Sequence, residues 1–251
     1  MQDRRLKTET AKDEYKQMYN ELVEIAAHDL KAPLRKLAVF TDRLTAKFSA
    51  QGNDEVNEYV HRIHSCINEM NELIDAMTEY AGLTPGSMTI EKCELTLINE
   101  KVFKLLGSEI NEAETNLEIS DLPQIEADEN QLVRLFRSLL ENALKFRRPG
   151  SLLKIKIFSE VVTNDEKNKF HLEEKGEYHK ISIKDNGIGF KQEHAEKIFH
   201  PLVRLNGKSS YPGNGLGLAM CERIVTNHKG IMYGESNEEG TQFSIIFPEK
   251  N

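Results

Sequence analysis

Two periodicities divide the chain. From about residue 4 to residue 80, apolar positions recur at alternating steps of three and four. Leu22, Ile25, Ala26, Pro33, Leu37, Phe40, Leu44 and Phe48 form a first series. Val56, Val60, Ile63, Ile67, Met70, Ile74 and Met77 form a second. Such spacing marks helices packed side by side. The break Ser49-Ala50-Gln51-Gly52-Asn53 suits the turn of an antiparallel helical hairpin. Each stripe is wide enough to need a second partner, which predicts a homodimeric four-helix bundle. A single helical domain folded onto the C-terminal half is the alternative. Residues 1–20 mix their charges, with Lys7, Lys12 and Lys16 facing Glu9, Asp13 and Glu14, and read as a helical lead-in at the end of a longer coiled coil.

Gly82-Leu83-Thr84-Pro85-Gly86-Ser87 ends the helical half, because Pro and two Gly do not continue a helix. Beyond it the pattern predicts strands at Met88–Cys93, Leu117–Ser120, Ile125–Ala127, Leu153–Val162, Phe170–Leu172, His179–Asp185, Ile231–Ser236 and Thr241–Phe247. Helices are expected over Leu95–Glu112, from Asp128 onward, over Gln192–Phe199 and over Leu216–His228, with Thr163–Lys169 as a polar turn. Asp128 followed by Gln131 has the form of a capping box, and Leu132, Leu135, Phe136, Leu139, Leu140 and Ala143 form the buried stripe behind it. Hairpin-paired strands with helices gathered between them predict an α/β sandwich with one mixed sheet. The expected organisation is a lead-in at 1–20, a helical hairpin at 21–84 and a sandwich at 88–251.

Composition narrows the function. The 251 residues are 39% hydrophobic and 29% charged, with a net charge of −8. An acidic chain has no global field for nucleic acid or an anionic membrane. No apolar run approaches the ~18 residues that span a bilayer, and the charged N-terminus has no signal-peptide core. Cys66, Cys93 and Cys221 lie far apart and in odd number, which fits a reducing cytosol and argues against a disulfide framework. His61 and His64 stand three apart with no third ligand in view, so they read as surface histidines. Gly207-Lys208-Ser209 is no P-loop, since Leu202 occupies the place of the leading Gly, and Gln192 breaks the dinucleotide fingerprint begun by Gly187 and Gly189.

Four segments remain that could carry chemistry. In Ala27-His28-Asp29-Leu30-Lys31-Ala32-Pro33-Leu34, Pro33 removes the bond to the carbonyl of Asp29 and bends the helix beside His28. A neutral imidazole is a competent nucleophile when an acceptor holds its other nitrogen, and Asp29 is adjacent; an ordinary structural histidine fits the same pattern. In Leu139–Phe146, Asn142 and Lys145 share a helix face; an amide oxygen suits Mg²⁺ and an ammonium suits phosphate. In Ile183–Phe190, a strand runs into a glycine turn with Asp185 at its mouth, where a carboxylate can accept from the exocyclic amine of adenine; a plain Asx-turn is the other reading. In Gly213-Asn214-Gly215-Leu216-Gly217-Leu218-Ala219, glycines lead straight into a helix and offer backbone N–H groups to an anion.

Taken together these segments resemble the sensor histidine kinases of two-component systems, over about residues 21–248. The first resembles the phosphoacceptor box, which implies His28 as phosphoacceptor and Asp29 as its neighbouring acid. Asn142 and Lys145 then match the magnesium-binding Asn and phosphate-contacting Lys of the next box. Asp185, Gly187 and Gly189 match the adenine-binding box. Ile198–Arg204, with Phe199, resembles the phenylalanine box, Gly213, Gly215, Leu216 and Gly217 the second glycine box, and Gly240-Thr241-Gln242-Phe243 the motif before the last strand. The resemblance implies a dimerising hairpin followed by an ATP-binding sandwich of the GHKL (Bergerat) type. It also implies ATP and Mg²⁺ as cofactors, and a response-regulator receiver domain as partner. Localisation would be cytoplasmic, with a membrane reached only through a sensor region outside this chain. His-Asp-Leu-Lys-Ala-Pro-Leu-Arg is closest in style to bacteriophytochrome-like kinases. Three positions depart from the pattern: Ala32 where a Thr or Asn is common, Ser138 for the first Asn of its box, and Leu202 for an aromatic. A GHKL ATPase driving conformational change and a silent dimeric scaffold remain the alternatives.

Overall fold

The computed structural model describes residues 23, 27, 30, 31, 33–46, 54–174, 176–205, 211 and 213–249. The chain forms two compact units, Met1–Gly82 and Leu83–Asn251. The lead-in at 1–20, the turn at 49–53 and the seam residues Leu22, Ile25, Ala26 and Phe48 lie outside the described residues.

The first unit contains a helix described over 33–46 (α1) and α2, Asp54–Gly82. Ala27 and Leu34 pack against Ile67 and Ile74, with Ala38 beside them. Val60 and Thr41 are also buried, the Thr41 hydroxyl donating to Leu37 O of its own helix at 2.6 Å. Lys31 pairs with Asp75 at 2.5 Å and His64 with Asp42 at 3.2 Å, so His64 joins the hairpin's two helices. Among the described residues, five of the expected seam face outward. Leu37, Phe40, Leu44, Ile63 and Met70 are between 41% and 57% exposed.

The second unit opens with its connector pinned down. Leu83 is buried, and its carbonyl accepts from Arg223 Nε at 3.0 Å and from Asn227 Nδ2 at 3.4 Å. A single 3-10 turn, Pro85–Ser87, follows. Then come β1 (Glu91–Glu94), α3 (Leu95–Leu105), α4 (Gly107–Glu112), β2 (Asn116–Ile119), β3 (Gln124–Ala127), α5 (Glu129–Lys145), β4 (Lys154–Val161), α6 (Asn164–Lys169), β5 (Tyr178–Asp185), α7 (Gly217–Asn227), β6 (Ile231–Asn237) and β7 (Gly240–Pro248). Five strands form a mixed sheet in the order β2-β4-β5-β7-β6, parallel between β2 and β4 and antiparallel elsewhere. Period-two alternation assigns its faces. Ile155, Ile157, Ile181, Ile183, Phe243, Ile245 and Phe247 join the buried stripes of α3, α5 and α7 in one core. The other face mixes polar residues with Ile246 and Phe158. There Ser182 and Ser244 share a 3.1 Å hydrogen bond, and Lys180 pairs with Glu160 at 3.2 Å and Glu166 at 2.7 Å.

Several expectations need correction. The sandwich has one mixed sheet plus a two-stranded ribbon, because β1 pairs only with β3. The first strand is Glu91–Glu94 rather than Met88–Cys93. The helix expected over Leu95–Glu112 breaks at Leu106, where Gly107 follows, into α3 and α4. Thr163–Lys169 is no turn: Thr163 and Glu166 form a complete capping box and start α6. Phe170–Leu172 is no strand, since Phe170 turns down onto Tyr233 with ring centroids 5.0 Å apart. Gln192–Phe199 forms two separate 3-10 turns instead of one helix. At Asp128 only half of the expected capping box exists. Its carboxylate accepts from Gln131 N at 2.9 Å, but its own N–H donates to His228 Nε2 at 3.0 Å, so the Gln131 side chain has nothing to return to. Among the described residues no helix is long and apolar enough to cross a membrane.

Candidate functional site

One end of the α5–α7 layer opens into a cavity of about 320 Å³. Helix α5 lines it with Ser138, Glu141, Asn142 and Lys145, which recur at helical spacing and so share a face turned away from the leucine core. Strand β5 delivers Asp185 at its last position. Gly213, Asn214, Gly215 and Gly217 form the rim at the N-terminus of α7, and Thr241 and Phe243 of β7 close the floor.

Asp185 is buried and its Oδ1 accepts from Gly187 N at 2.7 Å. Burial raises its carboxyl to about 6, against the lowering effect of the Gly187 and Thr241 backbone N–H groups. Gly187 itself has no room for a side chain: a Cβ there would lie 2.7 Å from both Asp185 Oδ1 and Phe146 O. The Asn142 amide has a buried nitrogen with no hydrogen-bond partner. An orphaned amide facing a cavity is costly unless something occupies the cavity, and it can present its oxygen by turning about χ2. Burial, and then the charge of Arg204, hold the Lys145 ammonium below its ordinary pKa. Two cations kept close together favour an anion between them.

The predicted site residues fall into three groups. Asn142, Lys145, Asp185, Gly189, Gly213, Gly215, Gly217 and Thr241 line the one cavity. Gly187, Phe199 and Leu216 stand behind the wall. Phe199 is buried edge-on to Phe243, with centroids 6.2 Å apart, and Leu216 is a buried N-cap residue whose N–H donates to Asn214 Oδ1 at 3.0 Å. His28, Asp29 and Ala32 lie outside the described residues.

The sequence reading singled out Lys145 but missed the aromatic rings and the second cation around it. Phe146 and Tyr211 pack with centroids 5.0 Å apart, Lys145 Nζ sits 4.6 Å from the Phe146 ring centre, and Arg204 Nη2 donates to Tyr211 O at 2.7 Å. Their signal was present as an Arg and a Tyr in the stretch between two glycine-bearing motifs. The donor set fits a nucleoside polyphosphate. A buried carboxylate suits an exocyclic amine, aromatic walls suit a base, and helix N–H groups with two cations suit phosphates. Among the described residues no cluster of three or more acidic, His or Cys side chains could cage a metal alone. A Mg²⁺ here would be held by Asn142 and ligand phosphates, which is the usual mode for that ion.

Comparison with known proteins agrees. Residues 18–86 match the His Kinase A (phospho-acceptor) domain, and residues 127–251 match the histidine kinase-, DNA gyrase B-, and HSP90-like ATPase domain. The chain is 28% identical over 228 residues to the phytochrome-like protein Cph1 of Synechocystis sp., covering 90% of this chain and 29% of that protein. It is also 28% identical over 243 residues to the adaptive-response sensory kinase SasA of Synechococcus elongatus, covering 91% of this chain and 58% of that one. The chain thus spans under a third of the phytochrome-like relatives it matches. Among solved structures, full-length ShkA in complex with AMPPNP shares the fold at TM-score 0.65 and 19% identity, over 91% of this chain and 45% of that one. Histidine kinase ThkA in complex with response regulator TrrA does so at TM-score 0.60 and 19% identity, over 98% and 66%.

Proposed function

The chain belongs to the histidine kinases of two-component systems, and on that premise we propose that it is the ATP-dependent, autophosphorylating core of one. Residues 88–251 would bind ATP, and residues 21–84 would dimerise and carry the phosphoacceptor. The observation that carries the reading is the convergence of Asn142, Lys145, Asp185 and the glycine-rich start of α7 on one cavity.

Asp185 would accept from the adenine amine, with Gly187 and Thr241 holding its carboxylate in place. Lys145, Arg204 and the backbone N–H groups at Gly213–Gly217 would grip the phosphates. Asn142 would hold Mg²⁺, which supplies neutralisation of charge on the phosphate oxygens. An imidazole nitrogen of His28 would then form an N–P bond to the γ-phosphorus as the bond to the β,γ-bridging oxygen breaks and ADP leaves, with Asp29 beside the ring to steady it. Positioning and electrostatics do nearly all the work in such a transfer. The phosphoryl group would pass on to an Asp of a response-regulator receiver domain. The outward Leu37, Phe40, Leu44, Ile63 and Met70 support a second copy as the hairpin's partner. We place the chain in the cytoplasm, with no role for nucleic acid.

Incubation with γ-labelled ATP and Mg²⁺ tests the reading. The label should be acid-labile and base-stable, and His28→Gln should abolish it while leaving ATP affinity unchanged. ATP hydrolysis without label would instead favour a conformational ATPase, and no nucleotide binding would favour a scaffold.

A further inference from the structure

Asp185 sits on a turn that is held from three sides. Asn186 ties it to β4: its Oδ1 accepts from Lys154 N at 2.8 Å and its Nδ2 donates to Leu152 O at 3.0 Å. Ile188 N donates to Phe146 O at 2.9 Å, at the end of α5. The third support comes from a side chain. Arg148, half-buried just beyond α5, donates from Nε to Gly187 O at 2.9 Å and from Nη2 to Glu238 O. Glu238 belongs to the turn between β6 and β7. That turn comes close to Asp185, since a Cβ on Gly240 would collide with Asp185 O and lie 2.8 Å from Asn186 Cα. Thr241, next in line, pairs with Asp185 across β5 and β7, and its backbone N–H favours the charged carboxylate.

One planar guanidinium therefore staples the Gly187 turn, whose N–H orients Asp185, to the turn that leads into Thr241. Its rigid planar fork holds the two carbonyls from two separate nitrogens, whereas an ammonium is a single point charge on a flexible stem. Arg148 does not line the cavity, so any effect it has on a ligand must pass through those turns.

We propose that Arg148 is a positioning residue for the base end of the nucleotide site, acting through Asp185 by clamping Gly187 and Glu238. The proposal rests on the nucleotide reading given above. It predicts that Arg148 matters for recognition of the base and not for the grip on phosphates, which lies with Lys145, Arg204 and α7.

The test is calorimetric binding of Mg-ATP, Mg-GTP and Mg-tripolyphosphate to the full chain. Arg148→Ala should weaken ATP roughly tenfold and narrow the preference for ATP over GTP, with tripolyphosphate unchanged. Arg148→Lys, which keeps the charge but loses the planar fork, should fall between and serves if the alanine variant is unstable. In an Asp185→Asn background the Arg148 substitution should cost little more, because two residues acting in one chain are non-additive. Equal losses for ATP and tripolyphosphate, full additivity with Asp185→Asn, or unchanged ATP affinity would each overturn the proposal. A wild-type chain that binds no nucleotide would overturn the nucleotide reading itself, and this one with it.

Discussion

The two units answer the hydrophobic effect in opposite ways. The sandwich gathers its apolar side chains into one continuous core, with Phe136, Leu135, Leu132 and Ile157 wholly buried. The described hairpin buries a thin seam at Ala27, Leu34, Ile67 and Ile74, and leaves Phe40 at 57% and Leu37 at 47% exposed. Two helices can bury only the faces they turn to each other, and a sheet covered by three helices has no such shortage. The sandwich is thus complete as a single chain, while the hairpin carries an unspent apolar face. Chemistry follows the same division, because a preorganised pocket needs a rigid surround and a phosphoacceptor needs to be reached.

The contrast can be broken by mutation. The largest effect is expected at Phe136→Ala, which empties the sandwich core and should cost about 3–5 kcal/mol in thermal or denaturant unfolding. Phe40→Ala should cost within about 0.5 kcal/mol if the hairpin stands alone, and clearly more if a second copy covers that face. Comparable losses at both positions in a proven monomer would show that the hairpin has a core of its own.

Ile63→Glu is the sharper probe of association. At 43% exposure its charge is tolerable in one hairpin but unpaired in a bundle. Sedimentation should show a dimer whose Kd rises on the order of a hundredfold. Ile67→Glu is less telling, since Ile67 is 3% exposed and the change would unfold the hairpin itself. A wild-type chain sedimenting as a monomer at tens of micromolar would refute the bundle.

The smallest effect concerns pH. With its carboxyl near 6, Asp185 is an acceptor above that pH and is protonated below it. ATP affinity should therefore fall as pH drops through about 6, by about tenfold between pH 7.5 and 5. Asp185→Asn should remove that component of the slope, and titrations of both proteins over this range decide it.

What could be read in the sequence was whatever local chemistry determines. Strands β4 to β7 and helices α5 and α7 announce themselves because a buried face imposes its period. The glycines before α7 and the Asp185 turn are likewise local. Helix α6 escaped because it has no buried residue and hence no apolar period, although Thr163-x-x-Glu166 was there to be seen. The ribbon of β1 and β3 escaped because alternation does not say which strand pairs with which. Long-range polar contacts were illegible for the same reason. His228 takes the Asp128 N–H from 100 residues away, and Arg148 reaches Glu238 across 90. Nothing in either neighbourhood marks the partner.

The bonds on Leu83 O bear on how such chains could be cut and rejoined. The Gly- and Pro-rich stretch 82–87 is where a splice would naturally be placed. Yet Leu83 belongs to the sandwich, its side chain in the core and its carbonyl shared by Arg223 and Asn227. A graft joined after Ser87 would replace the Leu83 side chain in the core, beside the helix whose other end forms the glycine rim. The seam at which a foreign hairpin can be exchanged while the sandwich stays whole lies between Gly82 and Leu83, so modules traded by recombination should carry their joint there.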